Sequence, residues 1–257
     1  MGLTDENGKM YHIALSKDEL EGARYAIMCG DPARVPKIAA FLQDSRPLAY
    51  NREYNSYLGS IEGEKVVVVS HGIGGPSTAI MLEELSKLGV DTFIRVGTSG
   101  GMQMEVVPGD IVIVNGAVRM EGTSKEYMPV EFPAVGDLDV TYALKGAAKS
   151  LNAPYHVGIV QCKDSFYGQH EPQRMPVGEE LMYKWNAWKM GGALVSEMES
   201  AALFVVSAVI HARAGAVMLC VWNQERIDSG IKDKSDHDTK LAIKTAIEAV
   251  WILIKRD

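Results

Sequence analysis

The chain has 257 residues, 47% of them hydrophobic, which is enough for one large α/β domain or two small ones. Its net charge of −7 argues against a nucleic-acid partner, which calls for a basic face, and its longest apolar stretch, residues 201–210, stops at His211 and Arg213, too short to cross a bilayer. The opening MGLTDENGKM lacks the apolar core of a secretion signal, and Cys29, Cys162 and Cys220 have no metal-ligand spacing, so they read as small core residues of a cytoplasmic protein.

Residues 25–29 are a short apolar strand followed directly by Gly30, Asp31, Pro32, Ala33 and Arg34. Proline just after the turn, with Val35, Ile38, Ala39, Ala40 and Leu42 beyond it, predicts an amphipathic helix. A second strand, residues 65–70, ends in HGIGGP and opens a helix that runs through Leu88. The third, residues 92–96, stops at a glycine-rich turn within IRVGTSGG. Paired glycines let a chain turn sharply and bring its N–H groups close to a ligand. Hydroxyls, amides and one fixed cation at a strand's end make an anion site. Arg34 and Arg95, each beside glycines at a strand's end, converge on one oxyanion if their strands are neighbours. Three strand–glycine–helix units predict an α/β fold with its ligand at the strand C-termini.

The alternation continues. Residues 110–118 and 156–162 read as strands, with a loop at 127–136 and a helix at 139–151 between them. Residues 194–196 are a short strand leading into Glu197, Met198 and Glu199, and residues 200–212 a buried helix. Residues 216–222 are a late core strand, 223–239 a polar segment suited to cover a site, and 240–255 a closing amphipathic helix. No linker or repeat divides the chain, so a single domain over 1–257 is expected. Two acids at a strand–helix junction are costly without partners. One reading caps the helix with a carboxylate. The other has a carboxylate accept hydrogen bonds from vicinal hydroxyls, as on a ribose. Asp164-Ser165-Phe166-Tyr167-Gly168-Gln169 sets an aromatic ring beside an amide, which suits a flat heterocycle with alternating carbonyl and N–H groups.

GDPARV, HGIGGPS, RVGTSGG, GDIVIVNGAVRMEG, the EFPA loop, DSFYGQ and SEMES occur together in an order that resembles the nucleoside phosphorylases of the trimeric/hexameric superfamily, with the nearest likeness to its uridine phosphorylase branch. The resemblance covers nearly the whole chain. It implies a three-layer α/β/α domain around a central mixed, twisted sheet. The activity it implies is reversible cleavage of uridine by phosphate, a pentosyl transfer giving uracil and ribose 1-phosphate. It assigns phosphate to Gly30, Arg34, Arg95, Thr98 and a neighbouring subunit's Arg52. Met198, Glu199, Glu197 and a neighbour's His12 would meet the ribose, with Glu199 on its 2′- and 3′-hydroxyls. Phe166, Gln169, Arg174, Ser99 and Gly100 would line the base site, with Arg95, Glu199, Gln169 and Arg174 carrying the reaction. Glu53, Ile73 and Ser77 match a monovalent-cation site (K+) at the dimer interface of some relatives. Phosphate is then a co-substrate, no organic cofactor is required, and the assembly is a homo-oligomer, a dimer with shared sites or a trimer of such dimers.

Purine-specific members of the superfamily are expected to protonate the leaving base with an aspartate after the late core strand. Here Asn223 follows it and cannot act as that acid, which favours a pyrimidine. Water-using nucleosidases would not need three phosphate arginines. Three departures bear on the base. Gln224 stands where an arginine is expected, with Arg226 two positions on. Four residues separate Gln169 from Arg174, a wider gap than usual, and Trp222 replaces an aliphatic residue. The alternatives are a purine or broad-specificity nucleoside phosphorylase and a catalytically silent nucleoside-binding protein on the same fold.

Overall fold

Successive residues of a strand face opposite sides of a sheet, and here both sides are apolar. In the first strand Ala26 and Met28 join one buried cluster while Tyr25, Ile27 and Cys29 join the other. A computed structural model describes residues 4–6 and 8–257. Its strands are β1 (Tyr25–Cys29), β2 (Gln43–Asn51), β3 (Tyr54–Ile61), β4 (Glu64–Ser70), β5 (Thr92–Gly101), β6 (Ile111–Arg119), β7 (Ala134–Val135), β8 (Tyr155–Cys162), β9 (Val195–Glu197) and β10 (Arg213–Asn223). The helices are α1 (Val35–Ala39), α2 (Gly75–Lys87), α3 (Thr123–Tyr127), α4 (Leu138–Ser150), α5 (Phe166–His170), α6 (Gly178–Met190), α7 (Ser200–Val209), α8 (Gln224–Asp228) and α9 (Lys240–Arg256).

Among the described residues all ten strands belong to one mixed sheet, ordered β10-β6-β8-β9-β5-β1-β4-β3-β2, with β7 beside β6. Because β10 also pairs with β5, the strands β5, β9, β8, β6 and β10 close into a ring from which β1, β4, β3 and β2 extend. Helices α2 and α7 cover one face with Met81, Leu82, Leu85, Leu203 and Phe204; α1, α4 and α9 cover the other with Ile38, Leu144, Val250 and Leu253. The α/β/α layering and mixed sheet agree with the expectation. All three cysteines are buried and unpaired. No helix of the described residues is long and apolar enough to cross a membrane.

The strands at 25–29, 65–70 and 92–96 are indeed neighbours. β1 lies between β4 and β5, parallel to both, with Cys29 opposite Ser70 and Met28 opposite Arg95. The expected turn after Val96 is corrected: β5 continues through Gly101, parallel to β10 until Gly101 meets Asn223 and antiparallel to β9 at Gly100 and Gly101. Its glycines make room rather than turn the chain. A side chain at Gly97 would strike the Arg95 guanidinium and the Met218 sulfur, and one at Gly101 would strike the Asn223 amide.

Candidate active site

The strand ends gather one cavity of about 850 Å³. Gly30 and Arg34 line it from the turn after β1, Gly72 and Ile73 from the turn after β4, and Arg95, Thr98, Ser99 and Gly100 from β5. Glu197, Met198 and Glu199 enter where β9 hands over to α7, Phe166 and Gln169 from α5. Gly30 is needed for the convergence, since a Cβ there would sit 3.1 Å from the Gly72 carbonyl oxygen.

Arg95 and Glu199 form the buried centre. Each is about 4% exposed, and Nη2 of Arg95 donates to Oε2 of Glu199 and lies 3.4 Å from Oε2 of Glu197. The other Glu199 oxygen accepts the Gly74 N–H at 2.7 Å. Burial alone would raise the Glu199 pKa, yet the Arg95 charge and the Gly74 bond hold it below the ordinary carboxylate value. Burial likewise opposes the charge on Arg95, but Glu199 and then Glu197 outweigh it and shift that group upward. Nε and Nη1 of Arg95 remain buried without an acceptor among the described residues. Leaving such donors unmatched costs about 1–3 kcal/mol each unless a ligand supplies the oxygen.

Arg34 donates from Nη1 to the Val96 carbonyl at 3.3 Å, which ties it to the strand that carries Arg95. Burial lowers its pKa, and the nearby charge of Arg95 acts in the same direction. Two like charges on the wall of one cavity favour an anion there.

The two acids divide the readings open to them. Glu197 caps α7, accepting the Glu199 N–H at 2.9 Å and the Ser200 N–H at 3.0 Å. Glu199, bonded to Arg95 and Gly74, faces the cavity. Glu197→Ala strips those two amides of their acceptor and should lower stability by about 1–3 kcal/mol. A shifted urea midpoint at constant m-value would show it; an unmoved midpoint would remove the capping role.

The far end of the cavity is aromatic. The His170 ring lies 4.2 Å from Phe166 and 4.9 Å from Trp222 between centroids. The Trp222 indole reaches over Gly100, where a Cβ would stand 3.4 Å from its nitrogen. Lys163 joins the wall, about 4% exposed, and donates from Nζ to the Ser196 hydroxyl at 2.5 Å. Burial brings its pKa down to about 8 against the pull of Glu197. Lys163, Ser196 and His170 were not singled out from sequence, and Trp222 was noted there only as a departure that bears on the base. His71, beneath the arginine end, is buried and neutral, its pKa lowered to about 3 chiefly by burial.

Several expected residues sit elsewhere. Arg174 is on the surface, paired with Glu171 at 2.6 Å and over the Tyr167 ring at 5.9 Å. It does not line this cavity. Ser99 lines it, yet its hydroxyl is donated to the Leu219 carbonyl at 3.1 Å. Arg52 occupies the tight turn between β2 and β3 with φ 54° and lies over Tyr11 at 5.7 Å. His12 is held by Glu84, Nδ1 to Oε1 at 2.6 Å, and its carbonyl accepts from Asn51 at 2.8 Å. Arg52 and His12 are thus linked through Asn51 and Tyr11, and neither lines the cavity of its own chain. Glu53 and Ser77 both flank Gly72 beside the exposed Ile73. Asn223 is committed to the scaffold: Nδ2 donates to the Gln103 carbonyl at 2.7 Å and the Val106 carbonyl at 2.8 Å, and Oδ1 accepts the Arg226 N–H. Gln224 donates to Asp228 at 2.6 Å and lines a smaller neighbouring cavity.

A family model described as Phosphorylase superfamily matches residues 24–254. The chain is 53% identical over 247 residues to a uridine phosphorylase of Treponema pallidum (strain Nichols), covering 96% of this chain and 95% of that one. It is 41% identical to a uridine phosphorylase of Thermococcus kodakarensis, over 98% of this chain and 89% of the other. A guanosine phosphorylase of Halorubrum lacusprofundi is 37% identical, over 95% and 99%. A buried arginine–glutamate centre at the strand ends, under a family match spanning almost every element of the sheet, makes this chain a member of the phosphorylase superfamily.

Proposed function

We propose that this chain cleaves uridine with inorganic phosphate, giving uracil and ribose 1-phosphate. The observation that carries the reading is the meeting of Arg34, Arg95 and Glu199 at one end of a cavity whose other end is aromatic. A phosphate oxygen attacks C1′ while the bond from C1′ to N1 of uracil breaks and its electron pair leaves with the base; the proton that hydrogen phosphate gives up on forming the ester balances the one the base takes up to become uracil. Arg34 and Arg95, with Gly30 and Thr98, hold the phosphate under C1′, so the guanidinium groups act by positioning and by charge. The anion in turn stabilises positive charge growing on the sugar. Glu199 is ionised and accepts from the ribose hydroxyls, with Met198 packing against the sugar. Phe166 stacks on the base, and Gln169 reads its edge. Arg174 joins only if the loop around it turns inward, exchanging Glu171 for a base carbonyl. Asn223, bound into the scaffold, leaves no side-chain acid for a purine at that position, which favours a pyrimidine.

The working unit in this reading is a dimer with shared sites, stacked as a trimer of dimers, in the cytoplasm. Arg52 and His12 serve the adjoining subunit's phosphate and ribose 5′-hydroxyl. Glu53, the Ile73 carbonyl and the Ser77 hydroxyl are hard oxygen donors that fit K+. A two-fold copy would double the set, and the cation would supply charge that ties the subunits together.

Comparing uracil release from uridine with and without phosphate, and uridine with inosine, tests the reading. Release should require phosphate and favour uridine; equal rates without phosphate would contradict it, and preference for inosine would favour the purine alternative. Mixing Arg52→Ala with Arg95→Ala subunits tests the shared site. In a two-fold dimer one site of each mixed pair regains both arginines, so about a quarter of wild-type turnover should return. Mixtures as inactive as their parents would refute sharing.

A further inference from the structure

The base end of the cavity contains a buried ammonium with unused donors. Among the lysines and arginines of the described residues, only Arg34, Arg95 and Lys163 line this cavity, and the two arginines belong to its phosphate end. Lys163 follows directly on β8, where its backbone N–H donates to the Glu197 carbonyl at 3.2 Å. Its ammonium donates to the Ser196 hydroxyl at 2.5 Å, and that hydroxyl lies 2.5 Å from Oε1 of Gln169. The charge is therefore one hydroxyl away from the amide assigned to the base. Burial first and the Lys163 charge second lower the pKa of His170, whose ring packs against Phe166 and Trp222.

An ammonium has three N–H donors. Among the described residues two of those on Lys163 find no acceptor, and no carboxylate touches it. Glu197, the acid that most favours its charge, is occupied by the α7 cap and by Arg95. Lys163 also borders the smaller cavity, of about 450 Å³, but the acids there are engaged. Glu225 accepts from Trp185 and Lys189, and Asp228 from Gln224. Burying an unpaired ammonium is costly, and beside a cleft such a group is a candidate for function.

We propose that Lys163 is a catalytic residue of uridine cleavage, whose free N–H groups meet a carbonyl oxygen of the departing uracil and stabilise its negative charge. The proposal rests on the uridine reading above. As the bond from C1′ to N1 breaks, the electron pair left on N1 spreads onto both carbonyl oxygens of the pyrimidine. A hydrogen bond from a buried ammonium strengthens as that charge grows, so it favours the transition state over bound uridine. The proton stays on Nζ, and the exchange of protons between phosphate and base is untouched. Arg174, paired with Glu171 at the surface, then need not turn inward for the leaving group to have a cation.

The test compares kcat/KM for uridine and for 5-fluorouridine, whose base bears negative charge more easily, and follows the phosphate KM beside them. Lys163→Met, similar in length but uncharged, should lose about 10- to 100-fold on uridine and only about three- to tenfold on 5-fluorouridine. The phosphate KM should hold, since Arg34 and Arg95 are intact. Lys163→Gln can still donate to Ser196 but carries no charge, and it should resemble Lys163→Met. Lys163→Arg should recover most of the uridine loss, and its contrast with Lys163→Gln decides the matter should Lys163→Met not fold. Equal losses on the two nucleosides, a Lys163→Gln enzyme as active as Lys163→Arg, or unchanged kinetics in folded Lys163→Met would each overturn the proposal while leaving uridine phosphorolysis standing. A wild-type enzyme that does not cleave uridine with phosphate overturns the underlying reading instead.

Discussion

Arg95→Ala should lose about 10²–10³-fold in kcat/KM for phosphate, the loss expected when a preorganised charged donor is removed from a site of developing charge. The phosphate KM should rise and turnover fall together, since in the proposed role the group both binds the anion and aims it. A second effect accompanies the first. Glu199 and Glu197 are each under 5% exposed and share Arg95 as counter-ion. Removing one partner of a buried ionic cluster typically costs about 3–5 kcal/mol. Arg95→Lys separates the effects: it keeps a positive charge near the acids but loses the planar fork. Stability should recover more than phosphate kinetics. A folded Arg95→Ala enzyme with wild-type phosphate kinetics would contradict the assignment.

Glu199→Gln should cost about as much in kcat/KM for uridine, because the carboxylate holds Arg95 and Gly74 and is also the proposed acceptor for the sugar hydroxyls. The substitution also changes how stability depends on pH. In the folded protein Glu199 resists protonation, its pKa lying below the ordinary carboxylate value through the Arg95 charge and the Gly74 N–H despite opposing burial. An acid depressed by folding contributes stability above its unfolded pKa, and that contribution drains away as pH falls through the folded value. The wild type should therefore lose stability on acidification faster than Glu199→Gln, and the two curves should approach each other at low pH. Urea midpoints taken between about pH 3 and pH 7 would show it. Parallel curves would mean that Glu199 is not ionised against Arg95 as described.

The parallel core was legible because each strand there is an apolar run closed by glycine, and the buried sequences of β1, β4 and β5 carry no other pattern. The edge hairpin was not. β2 is polar and largely exposed, and neither it nor β3 was anticipated. Helix α6 escaped for a related reason: of its residues only Gly178 is buried, so no apolar stripe marks it. The glycines after Val96 misled because glycine serves two ends. They admit the side chains of Arg95, Met218 and Asn223 instead of bending the chain, and only the pairing with β10 reveals which.

The same distinction divides the site. Arg34, Arg95, Glu199, Phe166 and Gln169 stand in motifs and line one cavity. Lys163, Ser196, His170 and Trp222 gain their surroundings from cross-strand register and ring packing, which no local spacing encodes. Arg174 shows the converse case. Its motif is present, but the residues between it and Gln169 let it pair with Glu171 at the surface.

A crystal structure of the enzyme with ribose 1-phosphate and uracil bound would test the central claim most directly. The phosphoryl group should lie within hydrogen-bond reach of both Arg34 and Arg95, on the side of C1′ opposite the base. Density for it anywhere else, with those two guanidinium groups left without an anion, would contradict the account.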